Sequence, residues 1–261
     1  MTGRYYHRLA DESDTQVFES TDLTRSNWAP GIQHGSPPLA LLTKVIEERL
    51  AGSGMRPGRL GLDILGAIPV APVRVRSRVE RPGRRISLLS AEMTPVDGDR
   101  PVARVSAWAL MTADTADVAT DRHRPLVEGP RQPLPHGWWN APGYLDSVDF
   151  RPQPDEPDGS HVFWLTPRAG LVDDEPTTAL QRLAMVVDSA NGVGSVLDPA
   201  AYVFMNTDTV VHLHRPPNGA DFGLRARGSI GPDGIGVTTC EIFDRGGFVG
   251  TCAQTLLVQR Q

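Results

Sequence analysis

Residues 61–111 decide the fold and read GLDILGAIPVAPVRVRSRVERPGRRISLLSAEMTPVDGDRPVARVSAWALM. Residues 206–258 follow the same pattern and read NTDTVVHLHRPPNGADFGLRARGSIGPDGIGVTTCEIFDRGGFVGTCAQTLLV. Each segment contains three successive stretches of alternating apolar and polar residues, separated by turns with proline or glycine, which predicts an antiparallel meander. With small gaps, the segments align at three pairs of residues, namely Asp63 with Asp208, Glu92 with Glu241 and Trp108 with Gln254. A repeat of this length indicates two copies of one module.

A helix is predicted upstream of each meander. Residues 37–50, PPLALLTKVIEERL, begin with two prolines suited to a helix start and place apolar residues at helical spacing. Residues 177–197, TTALQRLAMVVDSANGVGSVL, repeat this pattern, with Thr177 or Thr178 available as the N-cap. The two predicted apolar stripes consist of Leu39, Leu42, Val45, Ile46 and Leu50, and of Leu180, Leu183, Ala184 and Val187.

A candidate strand precedes each helix, near residues 15–19 and near residues 161–165. One module is therefore a strand, a long helix and then three or more strands. A sheet wrapped round a single helix buries the whole apolar stripe of that helix, and this arrangement is the hotdog fold. We predict an α+β protein with a double hotdog fold. Its parts are an N-terminal module at residues 1–115, a proline-rich linker at 116–158 and a C-terminal module at 159–261.

The composition argues against several classes of protein. The 261 residues suit two modules of about 110 to 130 residues each. No apolar run reaches the length of a membrane span, and the N-terminus lacks the features of a signal peptide, so we expect a cytoplasmic protein. A net charge of −5 without a stripe of Lys or Arg argues against nucleic-acid binding. Cys240 and Cys252 are expected to be small core residues of the last meander.

Residues 113–158 interrupt the pattern with eight prolines, and we interpret them as a linker between the modules. The segment also carries Trp138, Trp139, Tyr144 and Phe150, whose side chains are costly to leave in water. We therefore expect residues 137–150 to pack on the modules over a site. A proline-rich segment that binds a partner is the alternative.

Three short stretches of the second module resemble the type II acyl-CoA thioesterases of bacteria and peroxisomes. They are VVDSANGVGSVL around Asp188, MNTDTVVHLHRP from Met205 to Pro216, and GTCAQTLLV around Gln254. In that family, which has a double hotdog fold, an Asp on the long helix, a hydroxyl residue on the next strand and a Gln on the last strand position the attacking water.

The resemblance implies that Asp188 and Gln254 are catalytic residues. The position of the hydroxyl residue remains open between two neighbours. The register of the HLHRP segment selects Asn206, whereas a hydroxyl group is found at Thr207, and only one of the two can face the site. Asp188 would accept the proton of the attacking water, and no metal or redox cofactor is implied. Backbone N–H groups at a helix N-terminus would suit the charge that develops on the thioester oxygen.

The first module departs from the active pattern, so we interpret it as a structural partner. Its loop at residues 31–36 contains His34, Gly35 and Ser36, which we expect to bind substrate. Gly192, a poor helix former beside Asp188, is a further candidate because a ligand can approach the backbone closely there. His34 could alternatively be the base of a hotdog dehydratase. His212 and His214 lie two residues apart on one predicted strand, but no third ligand supports a metal site.

Three functions remain open on the sequence. The first is a cytoplasmic acyl-CoA thioesterase that takes an acyl-CoA or acyl-carrier thioester. The second is a double hotdog without catalytic activity that binds an acyl or polyketide-like ligand, and the third is a hotdog dehydratase or cyclase. Because exposed sheet edges and faces favour self-association, we also expect a homo-oligomer.

Overall fold

The computed structural model describes residues 3–12, 14–134 and 142–261 of the chain. In the first part, strands β1 and β2 precede helix α1, and four strands follow it. Their bounds are Arg4–Glu12 (β1), Thr15–Ser20 (β2), Ser36–Leu50 (α1), Met55–Ile64 (β3), Pro72–Arg81 (β4), Ile86–Pro95 (β5) and Ala103–Met111 (β6). The predicted first helix, its preceding strand and the following meander are therefore confirmed.

The second part of the chain repeats this layout with additional short elements. The bounds are Val148–Pro152 (β7), His161–Pro167 (β8), Gly170–Val172 (β9), Ala179–Val187 (α2), Ala190–Val193 (α3), Tyr202–Asn206 (β10), Asp208–Leu213 (β11), Phe222–Ile230 (β12), Ile235–Asp244 (β13) and Gly247–Arg260 (β14). Thr178 caps α2, because its hydroxyl oxygen accepts a hydrogen bond from the N–H of Gln181 at 3.1 Å. Strand β7 lies within the predicted linker and pairs with β8.

All fourteen of these strands belong to one sheet, in the order β7-β8-β12-β13-β14-β11-β3-β6-β5-β4-β2-β1-β9, with β10 paired to β14. The order β2-β4-β5-β6-β3 in the first half matches β8-β12-β13-β14-β11 in the second half. The two halves join through the antiparallel pairing of β3 with β11. Strand β9 follows β8 closely in the chain but pairs in parallel with β1 at the other end of the sheet. The sheet therefore curls until its two ends lie side by side.

The cross-strand residue pairs in the sheet test the sequence alignment of the two repeats. Glu92 on β5 lies opposite Arg76, and Glu241 on β13 lies opposite Arg225, so the match of Glu92 with Glu241 preserves the neighbouring arginine. The same alignment does not match Asp63 with Asp208. These two residues are direct cross-strand neighbours where the halves meet.

Helix α1 is buried on more than one face, whereas the sequence predicted a single stripe. Twelve of its fifteen residues are buried, including Ser36, Thr43 and Lys44. The reason is that α1 packs against α2 as well as against its own sheet. The carboxylate of Glu47 joins the helices, since it accepts hydrogen bonds from Thr178 Oγ1 at 2.9 Å and Gln181 Nε2 at 2.7 Å.

Cys240 and Cys252 are cross-strand partners on β13 and β14, and both are buried free thiols in the main core. Burial raises the pKa of the Cys252 thiol well above its ordinary value. His212 and His214 are exposed on β11 and just beyond it. Within the described residues, His, Cys, Asp and Glu side chains form no group of three or more that could hold a metal ion. None of the helices in that part of the chain has the length and apolar character to cross a membrane.

Candidate active site

The candidate site begins where helix α2 ends. The sequence predicted one helix over residues 177–197, but α2 stops at Val187 and a separate turn, α3, begins at Ala190. Asp188 occupies the C-terminal cap between them and is only 2% exposed. Residues 188–192 are poor helix formers apart from Ala190, so the break follows from local propensity. It places a buried carboxylate in the interior of the molecule.

One oxygen of this carboxylate is held by three side chains. Asp188 Oδ1 accepts hydrogen bonds from Thr209 Oγ1 at 2.5 Å, from Asn206 Nδ2 at 2.8 Å and from Gln254 Nε2 at 3.4 Å. Gln254 Nε2 also donates to Thr209 Oγ1 at 2.9 Å and to the backbone oxygen of Asp188 at 3.0 Å. Because the Thr209 hydroxyl accepts from the Gln254 amide, its single proton is free to point at Asp188. These three donors therefore hold Oδ1 in place as a hydrogen-bond acceptor.

The other oxygen, Oδ2, has no hydrogen-bond donor within the described part of the chain. It lies against the loop before α1. A Cβ atom added to Gly35 would come within 2.4 Å of it, and His34 Nδ1 is 3.6 Å away. The carboxylate from the second half of the chain thus contacts the N-terminal end of the helix from the first half.

His34 is held as a neutral ring. Its Nδ1 accepts a hydrogen bond from the backbone N–H of Ser36 at 3.1 Å, which assigns the ring proton to Nε2. Burial lowers the pKa of His34, and the nearby carboxylate of Asp188 opposes this effect. Among the described residues, neither the Nε2–H of His34 nor the backbone N–H of Gly35 has a hydrogen-bond partner. Both are donors available at the edge of the site.

Tyr144 from the proline-rich segment connects the two sides of the site. Its ring stacks on His34 with the ring centres 3.8 Å apart and the planes at 11°. Its hydroxyl donates to the backbone oxygen of Met185 at 2.9 Å and lies 2.8 Å from Ser189 Oγ. The expectation that this segment packs on the rest of the molecule is confirmed for Tyr144 and Phe150, which are buried, whereas Trp138 and Trp139 lie outside the described residues.

A cavity of about 320 Å³ opens in front of Asp188. Its polar lining includes His34, Gly35, Asp188, Asn191, Gly192, Asn206 and Thr207. Its apolar lining is formed by Trp28, Ile32, Ile64, Ile68, Leu145, Pro199, Phe204, Met205 and Leu257. Among the described residues, no Lys or Arg lines the cavity, so the interior suits a neutral group with an apolar part.

The structure distinguishes between the two neighbours that the sequence left open. Asn206 bonds to Asp188, whereas the hydroxyl of Thr207 lies near Asp208 Oδ1 at 3.2 Å and the Thr255 backbone oxygen at 3.4 Å. Thr207 is exposed, although it lines the cavity mouth. Ser36 is not among the described residues that line the cavity, and its backbone N–H donates to His34 Nδ1.

Sequence reasoning missed Thr209, which is fully buried and supplies the hydroxyl hydrogen bond to Asp188. The available signal was the row of polar residues at 206–209 inside a segment of strands. Only their common contact with a distant carboxylate reveals which of them belong to the site.

In the described part of the first half of the sheet, the positions that correspond to this cluster are apolar. The alignment that matches Glu92 with Glu241 also matches Leu89 with Thr238. Ala107 is the cross-strand partner of Leu89, and Gln254 is that of Thr238, so Ala107 corresponds to Gln254. Leu60 is the buried neighbour of Ala107 on β3, where the second half has Thr209. The match of Trp108 with Gln254 is therefore wrong by one residue. Trp108 lies on the outer face of its strand, and the corresponding inner positions are apolar.

Two family models match the chain. Residues 24–110 match the family model of the acyl-CoA thioesterase N-terminal domain, and residues 123–258 match that of the acyl-CoA thioesterase C-terminal domain. No match was found among curated protein sequences.

Solved structures share the fold over nearly the whole chain. The acyl-CoA thioesterase II TesB2 from Mycobacterium marinum is 16% identical, with a TM-score of 0.70, and the match covers 97% of this chain and 95% of that one. A conserved protein of unknown function with a hot dog fold from Alicyclobacillus acidocaldarius is 14% identical, with a TM-score of 0.74 and coverage of 96% and 95%. These likenesses establish a hotdog fold, and the two family models, which together span most of the chain, show that the protein belongs to the acyl-CoA thioesterase family.

Proposed function

We propose that the protein hydrolyses acyl-CoA thioesters with a water molecule activated by Asp188. The observation that carries this proposal is the unequal environment of the two carboxylate oxygens. Three side chains hold Oδ1, whereas Oδ2 has no hydrogen-bond donor within the described residues. Oδ2 lies beside the loop before α1, near His34. A fixed carboxylate with one free oxygen is suited to accept a proton from water.

The reaction follows from these positions. The water oxygen attacks the thioester carbonyl carbon while its proton passes to Asp188 Oδ2, and the carbonyl electron pair moves onto oxygen. The N–H of Gly35 and the Nε2–H of His34 are the donors for this oxyanion. When the carbonyl re-forms, the C–S bond breaks and the leaving thiolate takes the proton from Asp188. Thr209, Asn206 and Gln254 act through the carboxylate by keeping it in place.

The matching strand orders of the two half-sheets support the further proposal of a double hotdog. In it, α1 and α2 are the central helices of an N-terminal and a C-terminal module. Only the second module would carry a catalytic cluster, because Leu60 and Ala107 occupy the corresponding positions of the first. The first module contributes His34 and Gly35 instead.

Self-association is supported by two exposed apolar pairs on the outer face of the sheet. Ile86 lies opposite Leu110 in the first half, and Ile235 lies opposite Leu257 in the second. We propose that these pairs are covered by another copy of the chain, which would then lie beside the cavity, because Leu257 also lines it. Sedimentation of the wild type and of an Ile86→Glu, Ile235→Glu variant tests this, and the proposal fails if both sediment as the same species.

The test of the reaction is thiol release from a panel of acyl-CoAs by wild type, Asp188→Asn and Asp63→Asn. Loss of the general base should lower kcat by about 10²- to 10⁴-fold. Asp63 is an exposed carboxylate on β3, so Asp63→Asn is the matched control and should retain full activity. Equal activity of all three proteins would discard Asp188 as the base.

A second candidate reaction, dehydration of a 3-hydroxyacyl thioester, is favoured by one observation. The sequence showed no acid near His34, but Asp188 Oδ2 lies 3.6 Å from its Nδ1. The hydrogen bond from Ser36 N–H to the same nitrogen argues against a base at that position. Including 3-hydroxyacyl-CoAs in the panel and following enoyl absorbance separates the two reactions.

A further inference from the structure

A smaller cavity in the C-terminal half of the molecule shares part of its wall with the main one. It is lined by Asn191, Gly194, Ser195, Val196, Leu197, Phe204, Gly228, Ile230, Thr238 and Leu256. Its volume is only about 10 Å³, compared with about 320 Å³ for the main cavity. The two cavities share two lining residues, Phe204 and Asn191.

Phe204 is the apolar residue that lines both cavities. It is 5% exposed and meets Trp28 edge to face, with the ring centres 5.3 Å apart. With Leu256 and Val258 it forms an apolar cluster that is separate from the main core. A wall made of one aromatic ring in a small separate cluster can be opened without changing the rest of the core.

The distance between Phe204 and the candidate catalytic group limits the length of acyl chain that fits between them. Phe204 and Asn206 lie two residues apart on β10 and on the same face, so about 7 Å separates them along the strand. Asn206 bonds to the carboxylate that would activate the water. An acyl chain whose thioester carbon lies beside Asp188 and which runs along β10 therefore meets the Phe204 ring after a few carbons.

The second cavity shares Phe204 with the main one. Most of its side chains are apolar, and it reaches the surface beside the exposed Val196. The one buried hydroxyl in its wall, Thr238 Oγ1, has no hydrogen-bond partner among the described residues. Because most of the side chains around it are apolar, the space suits the end of an apolar chain once the ring is removed.

We propose that Phe204 is the residue that limits acyl-chain length, and that the protein acts on short acyl groups that end against its ring. The inference rests on the proposed thioesterase function, because that function places the thioester beside Asp188. Removal of the ring joins the two cavities and admits longer chains.

The test compares Phe204→Ala with the wild type on straight-chain acyl-CoAs from butanoyl to dodecanoyl. The ratio of kcat/KM for dodecanoyl-CoA over hexanoyl-CoA should rise at least about tenfold, since one methylene in an apolar pocket changes kcat/KM by about 10- to 200-fold. Val258→Ala is the matched control. Val258 pairs with Phe204 on the β10–β14 ladder and belongs to the same cluster, but it lines neither cavity. Its chain-length profile should match that of the wild type.

The proposal is overturned if Phe204→Ala lowers kcat/KM for every chain length in the same proportion, or if Val258→Ala shifts the profile equally. Phe204→Leu, which keeps more of the apolar volume, gives the same test if the alanine variant does not fold.

Binding separates failure of the inference from failure of the proposed function. Titration of Asp188→Asn protein, with and without Phe204→Ala, uses hexanoate, decanoate and dodecanoate as probes and needs no turnover. Tighter dodecanoate binding after ring removal, in a protein that hydrolyses no acyl-CoA, would uphold the role of Phe204 and reject the thioesterase. If the wild type hydrolyses acyl-CoAs but removal of the ring leaves dodecanoate binding unchanged, the thioesterase function is upheld and the role of Phe204 is rejected.

Discussion

Substitution of Gly35 by alanine should impair the candidate site through a single steric contact. Gly35 has φ −66° and ψ −25°, a conformation that alanine adopts without strain. The added Cβ would lie 2.4 Å from Asp188 Oδ2, whereas ordinary contact begins at 3.4 Å, so the carboxylate must retreat by about 1 Å. A misplacement of about 1 Å in a catalytic group costs on the order of 100-fold in rate, or about 2.7 kcal/mol of transition-state stabilisation.

The assay is kcat for thiol release, measured beside Gly31→Ala. Gly31 lies in the same loop, and a Cβ there meets no atom within 4 Å, so its kcat should stay within about twofold of the wild type. Replacement of an N-cap glycine by alanine should cost at most about 1 kcal/mol of stability, so both variants should remain folded. A Gly35→Ala enzyme that is folded and fully active would refute the reasoning, because the position of Asp188 would then not govern the rate.

Three further predictions concern neighbouring groups. Thr209→Val removes the hydroxyl that donates to Asp188 and should lower kcat by about 10- to 100-fold in the thiol-release assay, while Thr207→Val should leave it near the wild-type value. Because burial lowers the pKa of His34, the unfolded chain binds the extra proton more readily, so the wild type should lose stability as the pH falls below about 6.5. His34→Asn should lack this part of the dependence of Tm on pH. Tyr144→Phe removes a buried hydroxyl with two hydrogen-bond partners and should lower the free energy of unfolding in urea by about 1 to 2 kcal/mol.

The repeated strands and helices could be predicted from the sequence because their signals are local. Alternation with a period of two identified the meanders, and the match of Glu92 with Glu241 agrees with the strand registers. Trp108 shows the limit of such an alignment. When a gap in the alignment is misplaced by one residue, an outward-facing position of one strand is matched with an inward-facing position of the other. The outward Trp108 was therefore matched with the inward Gln254.

Thr209 was missed for a related reason. Strict alternation along one strand would place Asn206 and Thr209 on opposite faces. The chain instead leaves β10 at Asn206 and enters β11 at Asp208, and the residue between them, Thr207, reverses the alternation. Both Asn206 and Thr209 therefore reach Asp188. No local pattern marks the break, because it results from pairing β10 and β11 along different parts of β14.

The environment of His34 could not be read from the sequence at all. Asp188, which lies 3.6 Å away, and Tyr144, which stacks on the ring, are both distant in the chain. Their proximity depends on the curl of the sheet and on the packing of α1 against α2. Asp188 itself was identified from a family resemblance, since an Asp after an apolar helix carries no chemical meaning alone.

The pairing of β3 with β11 and of β1 with β9 has a consequence for synthesis of the chain. The half-sheet that leaves the ribosome first has β3 and β1 as its two edges, and both partners belong to the second half. Until residues 170–172 and 208–213 have emerged, each edge presents unpaired backbone groups that can pair with another nascent chain. The order of strands therefore leaves the first half open to aggregation during translation, until β9 covers the β1 edge and β11 covers the β3 edge.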